Sequence, residues 1–203
     1  MKRAWSCIII CVGVLLSGGC KFVLKKVYGI KKADYQSHQS IVKFHNEIGF
    51  QNIPYYGLKA SSWFMLKGLH IPDVYVFNST GNYIPYRDSL KPNCNGPADV
   101  FLSEMHPEKK YIYSDDYNLK TFLHFLEGPE CQPLEFDSVA KVDFYIFFTT
   151  ATFVGKKIFR DKSAIWLDSL KQNRNIRYQL FILNEDWKSC WSDTDKQLFT
   201  TDE

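Results

Sequence analysis

The sequence predicts an α/β domain whose central sheet is flanked by helices, and a strand, helix, strand pattern near the end of the chain carries this prediction. Residues 142–148 and 178–183 are apolar at almost every position, which is typical of strands covered on both faces. The residues between them repeat apolar side chains at helical spacing. Such a unit favours parallel strands joined by a right-handed crossover.

A helix is predicted over residues 41–48, because apolar side chains recur there at positions i, i+3, i+4 and i+7 and Gly49 follows. His45 lies on the apolar face of this helix. A histidine there can serve as a ligand or a base, but a hydrogen-bonded core residue is the interpretation that we favour.

A hairpin is predicted from residues 71–77 and 83–86, which flank a turn sequence containing Gly81. Short helices are predicted at 61–68 and from Pro97 to Met105.

A further helix is predicted over 119–126, with its cap within residues 114–116 and its end at Gly128.

The first twenty residues have the layout of an export signal, with Lys2 and Arg3 before an apolar run and small residues at its end. The segment that ends in Ser17-Gly18-Gly19-Cys20 resembles the lipobox of bacterial lipoproteins. This resemblance implies that residues 1–19 are cleaved and that Cys20 carries fatty acids, which tether the protein to a membrane. The alternatives are an uncleaved anchor helix, for which the apolar run is short, and ordinary secretion.

The domain plan that follows has a lipid anchor and linker at 20–38, one α/β domain at 39–191 and a polar tail at 192–203. No acidic cluster follows Cys20, which favours a periplasm-facing position in the bacterial cell envelope. Losing Lys2 and Arg3 from the 25 basic residues leaves 23 against 22 acidic ones, a net charge near +1. This charge excludes a typical nucleic-acid-binding protein.

Three cysteines of the predicted mature chain are available besides Cys20, namely Cys94, Cys131 and Cys190. An oxidising compartment permits one disulfide, and we predict Cys94 with Cys131 because both lie in loop-like sequence. Cys190 is then a free thiol. The mature chain has no CxxC motif and no zinc-type spacing of histidines and cysteines, so no metal or cofactor is predicted.

Residues 150–157, which follow an apolar strand and open a helix, resemble the active-site segment WATWCGPC of thioredoxin-like proteins. Val154 and Lys157 take the places of the two cysteines. The resemblance therefore implies the fold without its chemistry, because disulfide exchange needs a thiolate at the helix start.

Residues 68–77 resemble the thioredoxin segment that carries a cis-proline before a hairpin, with Pro72 as that proline. In thioredoxins this segment follows the cysteine segment, whereas here it precedes it, which implies a permuted arrangement. The resemblance places Pro72 beside Val154. The whole chain also resembles uncharacterised lipoproteins of Bacteroidetes type.

Three functions follow from these features. The first is a membrane-tethered, non-catalytic thioredoxin-like lipoprotein that binds an envelope protein or ligand. The second is a thiol-active envelope protein that uses Cys94, Cys131 or Cys190. The third is a hydrolase, ranked last because its candidate residues have no spacing that joins base and nucleophile. Those candidates are His106, Asp115, Asp116 and His124.

Overall fold

The structure is a computed structural model that describes residues 26–63, 71–86, 98–136 and 141–199. The predicted signal peptide, the predicted lipidation site Cys20 and the predicted disulfide partner Cys94 lie outside the described residues. Within these four ranges, no helix is long and apolar enough to cross a membrane.

The described residues form a mixed α/β structure. Besides a single helical turn at 26–28, the helices are α1 (His38–Glu47), α2 (Ala60–Trp63), α3 (Ala98–Ser103), α4 (Leu119–His124), α5 (Lys156–Gln172) and α6 (Asp193–Gln197). The strands are β1 (Tyr35–Gln36), β2 (Tyr55–Leu58), β3 (Val74–Asn78), β4 (Asn82–Tyr83), β5 (Ser114–Asn118), β6 (Leu126–Glu127), β7 (Phe144–Thr150), β8 (Tyr178–Asn184) and β9 (Trp187–Lys188).

A curled mixed sheet of seven strands forms the centre, in the order β5-β4-β3-β7-β8-β2-β6. Strand β8 is parallel to both β7 and β2, and the other neighbours in this sheet are antiparallel. The predicted strand, helix, strand unit is confirmed, since β7, α5 and β8 follow one another and their strands pair in parallel. The predicted hairpin is also confirmed, because β3 and β4 pair through Phe77 and Tyr83.

Each face of the central sheet carries its own apolar core, because alternate side chains of a strand point to opposite faces. On one face, Phe144, Ile146 and Phe148 of β7 pack with buried residues of α1, α3 and α5. On the other face, Tyr145 and Phe147 pack with buried residues of α4. The sheet is therefore covered on both sides by helices.

The cap of α4 differs from the prediction. We expected a cap within residues 114–116, but these residues belong to β5, which pairs with β4. The cap is Asn118, whose side-chain oxygen accepts the backbone N–H of Thr121 at 2.9 Å. In isolation, a polar and acidic stretch such as residues 114–116 is typical of the start of a helix. It forms a strand here because it pairs with β4.

Residues on both sides of the predicted domain at 39–191 pack against it. Strand β1 pairs in parallel with β9, so part of the predicted linker belongs to a small second sheet. In the predicted polar tail, the ring of Phe199 stacks on Trp191 with the centroids 5.1 Å apart. The packed part of the chain thus extends beyond 39–191 in both directions.

The disulfide of the structure joins Cys131 to Cys190, with their α-carbons 5.9 Å apart, and not Cys131 to Cys94 as we predicted. The sheet explains the pairing. Strand β6, which leads to Cys131, lies beside β2, and β2 lies beside β8, from which the chain continues to Cys190. This proximity depends on strand order, which the spacing of cysteines does not reveal.

Candidate binding groove at the start of helix α5

The loop between β7 and α5 is fixed by a buried carboxylate that follows the neighbouring strand β8. After a 3₁₀ turn at Thr152–Val154, Gly155 leads into the first turn of α5. Asp186, just beyond β8, accepts the backbone N–H of Thr152 at 2.9 and 3.0 Å and its hydroxyl at 2.8 Å. The side-chain amide of Asn184 donates to the same carboxylate at 2.9 Å. Asp186 therefore holds the start of α5 against the end of β8.

Three acidic side chains are buried at this end of the sheet, namely Asp73, Glu185 and Asp186. Burial raises the pKa of Glu185 well above its usual value, and the nearby charges of Asp73 and Asp186 add to this effect. Burial also raises the pKa of Asp186, although its hydrogen bonds with Asn184 and Thr152 oppose the rise. Burial thus drives Glu185 towards its protonated form.

Residues 26–36, which we call the crossing segment, pass over the start of α5. The backbone N–H of Lys31 donates to the carbonyl of Phe153 at 2.7 Å. The carbonyl oxygen of Tyr28 occupies the place where a β-carbon on Gly155 would stand, and Gly155 has a φ of 89°. The ammonium group of Lys157 lies 5.7 Å from the centroid of the Tyr28 ring. Only a glycine permits this close approach of the two backbones.

An open groove of about 990 Å³ lies between the crossing segment, α1 and the first turns of α5. Seven basic and three acidic side chains line it, a surplus of four positive charges. The basic residues are Lys26, Lys31, Lys32, Lys43, Lys156, Lys157 and Arg160, and the acidic residues are Asp34, Glu47 and Asp161. We call this feature the basic groove.

Some of these charges are paired within the groove. Lys156 forms an ion pair with Glu47, whose pKa is lowered chiefly by the hydrogen bond from Lys156. Lys157 pairs with Asp161 one helical turn later, and this hydrogen bond raises the pKa of Lys157.

Among the other lysines of the groove, Lys26, Lys31 and Lys43 are exposed. In the described ranges they have no ion-pair partner. These lysines are the groups with which the groove can bind an anion.

Of the three predicted redox-site positions, Lys157 lines the basic groove, whereas Val154 and Pro72 do not. Val154 is only 8% exposed and belongs to the apolar core, whereas Lys157 is exposed at the groove wall. Pro72 is buried directly before β3, and the Ile71–Pro72 peptide bond is cis. Asp73 and Thr149 exchange hydrogen bonds of 2.7 and 2.9 Å, so Pro72 lies at the end of the sheet from which the chain turns into α5.

His45 is the core residue that we expected. It is 3% exposed, and its Nε2 lies 3.0 Å from the hydroxyl oxygen of Thr150. Burial lowers the pKa of His45 to about 4, so the imidazole is neutral at physiological pH. His45 is therefore buried beside β7 and does not line the basic groove.

The structure does not gather the candidates for a hydrolase. His106 follows α3, which covers one face of the sheet, and His124 ends α4, which covers the other. Asp115 is exposed on β5, whose residues also include Asp116. Among the described residues, no group of three histidines, cysteines or carboxylates is placed to hold a metal ion.

The basic residues of this groove were not predicted from the sequence, because they are divided between residues 26–43 and 156–160. One signal was available: residues 21–33 contain five lysines and no acidic residue. Comparisons of the chain with known protein families, with curated proteins and with solved structures found no match. Function is therefore inferred from the groove itself.

Proposed function

We propose that this protein is a lipid-anchored, non-catalytic binding module of the bacterial envelope that takes an anionic ligand in the basic groove. The observation that carries the proposal is the surplus of four positive charges in the groove, of which Lys26, Lys31 and Lys43 are exposed and without an ion-pair partner in the described ranges. The anchor is inferred from the resemblance of Ser17-Gly18-Gly19-Cys20 to a lipobox.

A thioredoxin-like arrangement in altered chain order is part of this proposal. Its support is the position of Pro72 before the hairpin of β3 and β4, together with the pairing of β3 with β7. Helix α5 begins directly after β7 and the following turn, so the proline segment and the helix start share one end of the sheet. The two sequence resemblances imply the finer relation that Pro72 lies beside Val154.

The absence of catalysis is inferred from the residues at the start of α5. Val154, in the place of the nucleophilic cysteine, is buried and has no thiol. Lys157, in the place of the resolving cysteine, pairs with Asp161. Disulfide exchange requires an accessible thiolate, so these positions support binding and not thiol chemistry.

Binding of an anion can be tested by elution of the full-length protein, in detergent, from immobilised phosphate by a salt gradient. We expect Lys31→Gln combined with Lys43→Gln to elute at clearly lower salt than the wild type, because screening and lost cations both weaken the attraction. The matched control is Lys109→Gln with Lys120→Gln, which changes the net charge equally outside the groove. Equal elution of the two double variants would contradict the proposal.

The alternative function is thiol exchange, and one observation favours it: Cys190 is exposed although it is bonded to Cys131. Exposed disulfides are open to attack by an incoming thiolate. An assay of insulin reduction by dithiothreitol separates the two functions. Our proposal predicts the uncatalysed rate for the wild type, whereas an acceleration that disappears in Cys131→Ser would establish the alternative.

A further inference from the structure

The crossing segment exposes apolar and basic side chains next to each other. Val27 is 52% exposed and Ile30 is 38% exposed. Lys26 and Lys31, their immediate neighbours, are also exposed. Apolar groups interleaved with lysines are the composition of protein surfaces that lie at a membrane interface, where the apolar groups enter the headgroup region and the ammonium groups meet phosphates.

The chain that leads from the proposed anchor to the groove is strongly basic. Between Cys20 and Asp34 it contains five lysines and no acidic residue. Lys26, the first groove residue, is six positions after Cys20. An extended chain of six residues spans at most roughly 20 Å. An acylated Cys20 would therefore hold the basic groove close to the headgroups.

Charge is distributed unevenly over the protein. Without Lys2 and Arg3, the chain from Cys20 onward has 23 of the 25 basic residues and 22 acidic residues. The groove alone has a surplus of four basic residues. The remaining residues therefore carry a surplus of three acidic ones. An anionic surface would attract the groove and repel the rest, which orients the protein.

We propose that the basic groove and the crossing segment rest on the phosphate groups of an anionic phospholipid bilayer, the one in which Cys20 is anchored. This inference deepens the proposed function and rests on it, since it names the anion as the headgroup surface of the bilayer. Lys26, Lys31 and Lys43 contact phosphates, and Val27 and Ile30 enter the headgroup layer. Clusters of four to eight basic residues beside a membrane anchor recognise anionic lipids in this way.

The test is residue-resolved acetylation of lysines in the full-length protein, read by mass spectrometry. The protein is reconstituted in vesicles of phosphatidylcholine alone or of phosphatidylcholine with 30% phosphatidylglycerol. We expect acetylation of Lys31 and Lys43 to be about fivefold slower in the anionic vesicles. This factor corresponds to the free energy with which an anionic membrane surface attracts one lysine. Lys109 and Lys120, outside the groove, serve as internal controls and should label equally in both.

Three other outcomes contradict the inference. Equal labelling of the groove lysines in both vesicles would exclude an anionic surface as their ligand. Slow acetylation of the groove lysines in both kinds of vesicle would exclude a role for lipid charge. If inorganic phosphate alone, at the phosphate concentration of the lipid, slows acetylation of the groove lysines, the ligand of the groove is a soluble anion. Failure of the protein to float with neutral vesicles would refute the lipid anchor instead, and the labelling in anionic vesicles would still decide the groove.

Discussion

The carbonyl oxygen of Tyr28 lies where a β-carbon on Gly155 would stand, so the crossing segment and the start of α5 touch through their backbones. Gly29 is also close, with its carbonyl atoms 3.0 Å from that place. The contact closes one side of the basic groove. The groove therefore depends on a glycine at position 155.

Gly155→Ala should detach the crossing segment from α5. The substitution introduces a clash with backbone atoms and places alanine at a φ of 89°. The control is Gly49→Ala, where φ is 90° and no atom lies within 4 Å of the added carbon. Both variants should lose about 1 kcal/mol from the conformation alone. Only Gly155→Ala should also make trypsin cleave faster after Lys26 or Lys31, and equal cleavage in both variants would contradict the contact.

The buried ion pair of Lys188 and Glu127 should be important for stability. The ammonium group of Lys188 lies 2.7 Å from a carboxylate oxygen of Glu127, and the side chain of Lys188 is 1% exposed. Glu127→Gln leaves a buried cation without its counterion and should lower the free energy of unfolding by about 3 kcal/mol. In the exposed pair of Lys109 and Glu104, Glu104→Gln should cost less than about 1 kcal/mol. Urea denaturation measures both, and similar losses would show that Lys188 is hydrated.

The Cys131–Cys190 disulfide should be found by peptide mapping without reduction, and it should persist in Cys94→Ser. The bond joins residues 59 positions apart. A loop of that length corresponds to about 4 kcal/mol of stabilisation, mainly through the unfolded chain. Cys131→Ser should lower the free energy of unfolding by a similar amount. Recovery of a peptide that links Cys94 to either cysteine would contradict this pairing.

His45 should make the protein less stable in acid. Its folded-state pKa is about 4, below the 6.5 of the unfolded chain. The contribution of His45 to the free energy of unfolding is therefore fully present above pH 6.5. It is lost as the pH falls to about 4, which lowers the free energy of unfolding by about 3 kcal/mol. Denaturation at several pH values should show a smaller loss in His45→Phe than in the wild type. A parallel decline in both would assign the acid sensitivity to other groups.

Local patterns predicted the elements that are built from long apolar repeats. The continuous apolar runs that became β7 and β8 and the helical spacing of α1 are properties of neighbouring residues, and they are visible in one sequence. The partner of Cys131 and the strand at Ser114–Asn118 depend on pairing between distant segments. The basic groove was hidden for the same reason, because the fold brings residues 26–43 to residues 156–160.

Metabolic labelling with a fatty acid such as palmitate tests the membrane tether, on which the proposed function and the contact with the bilayer both rest. The lipobox-like segment predicts that the label is attached to Cys20, at the start of the mature chain. Wild type and the control Cys94→Ala should carry the label and sediment with membranes, whereas Cys20→Ala should lose the label. Label retained in Cys20→Ala, or a wild-type protein that carries none, would contradict the account.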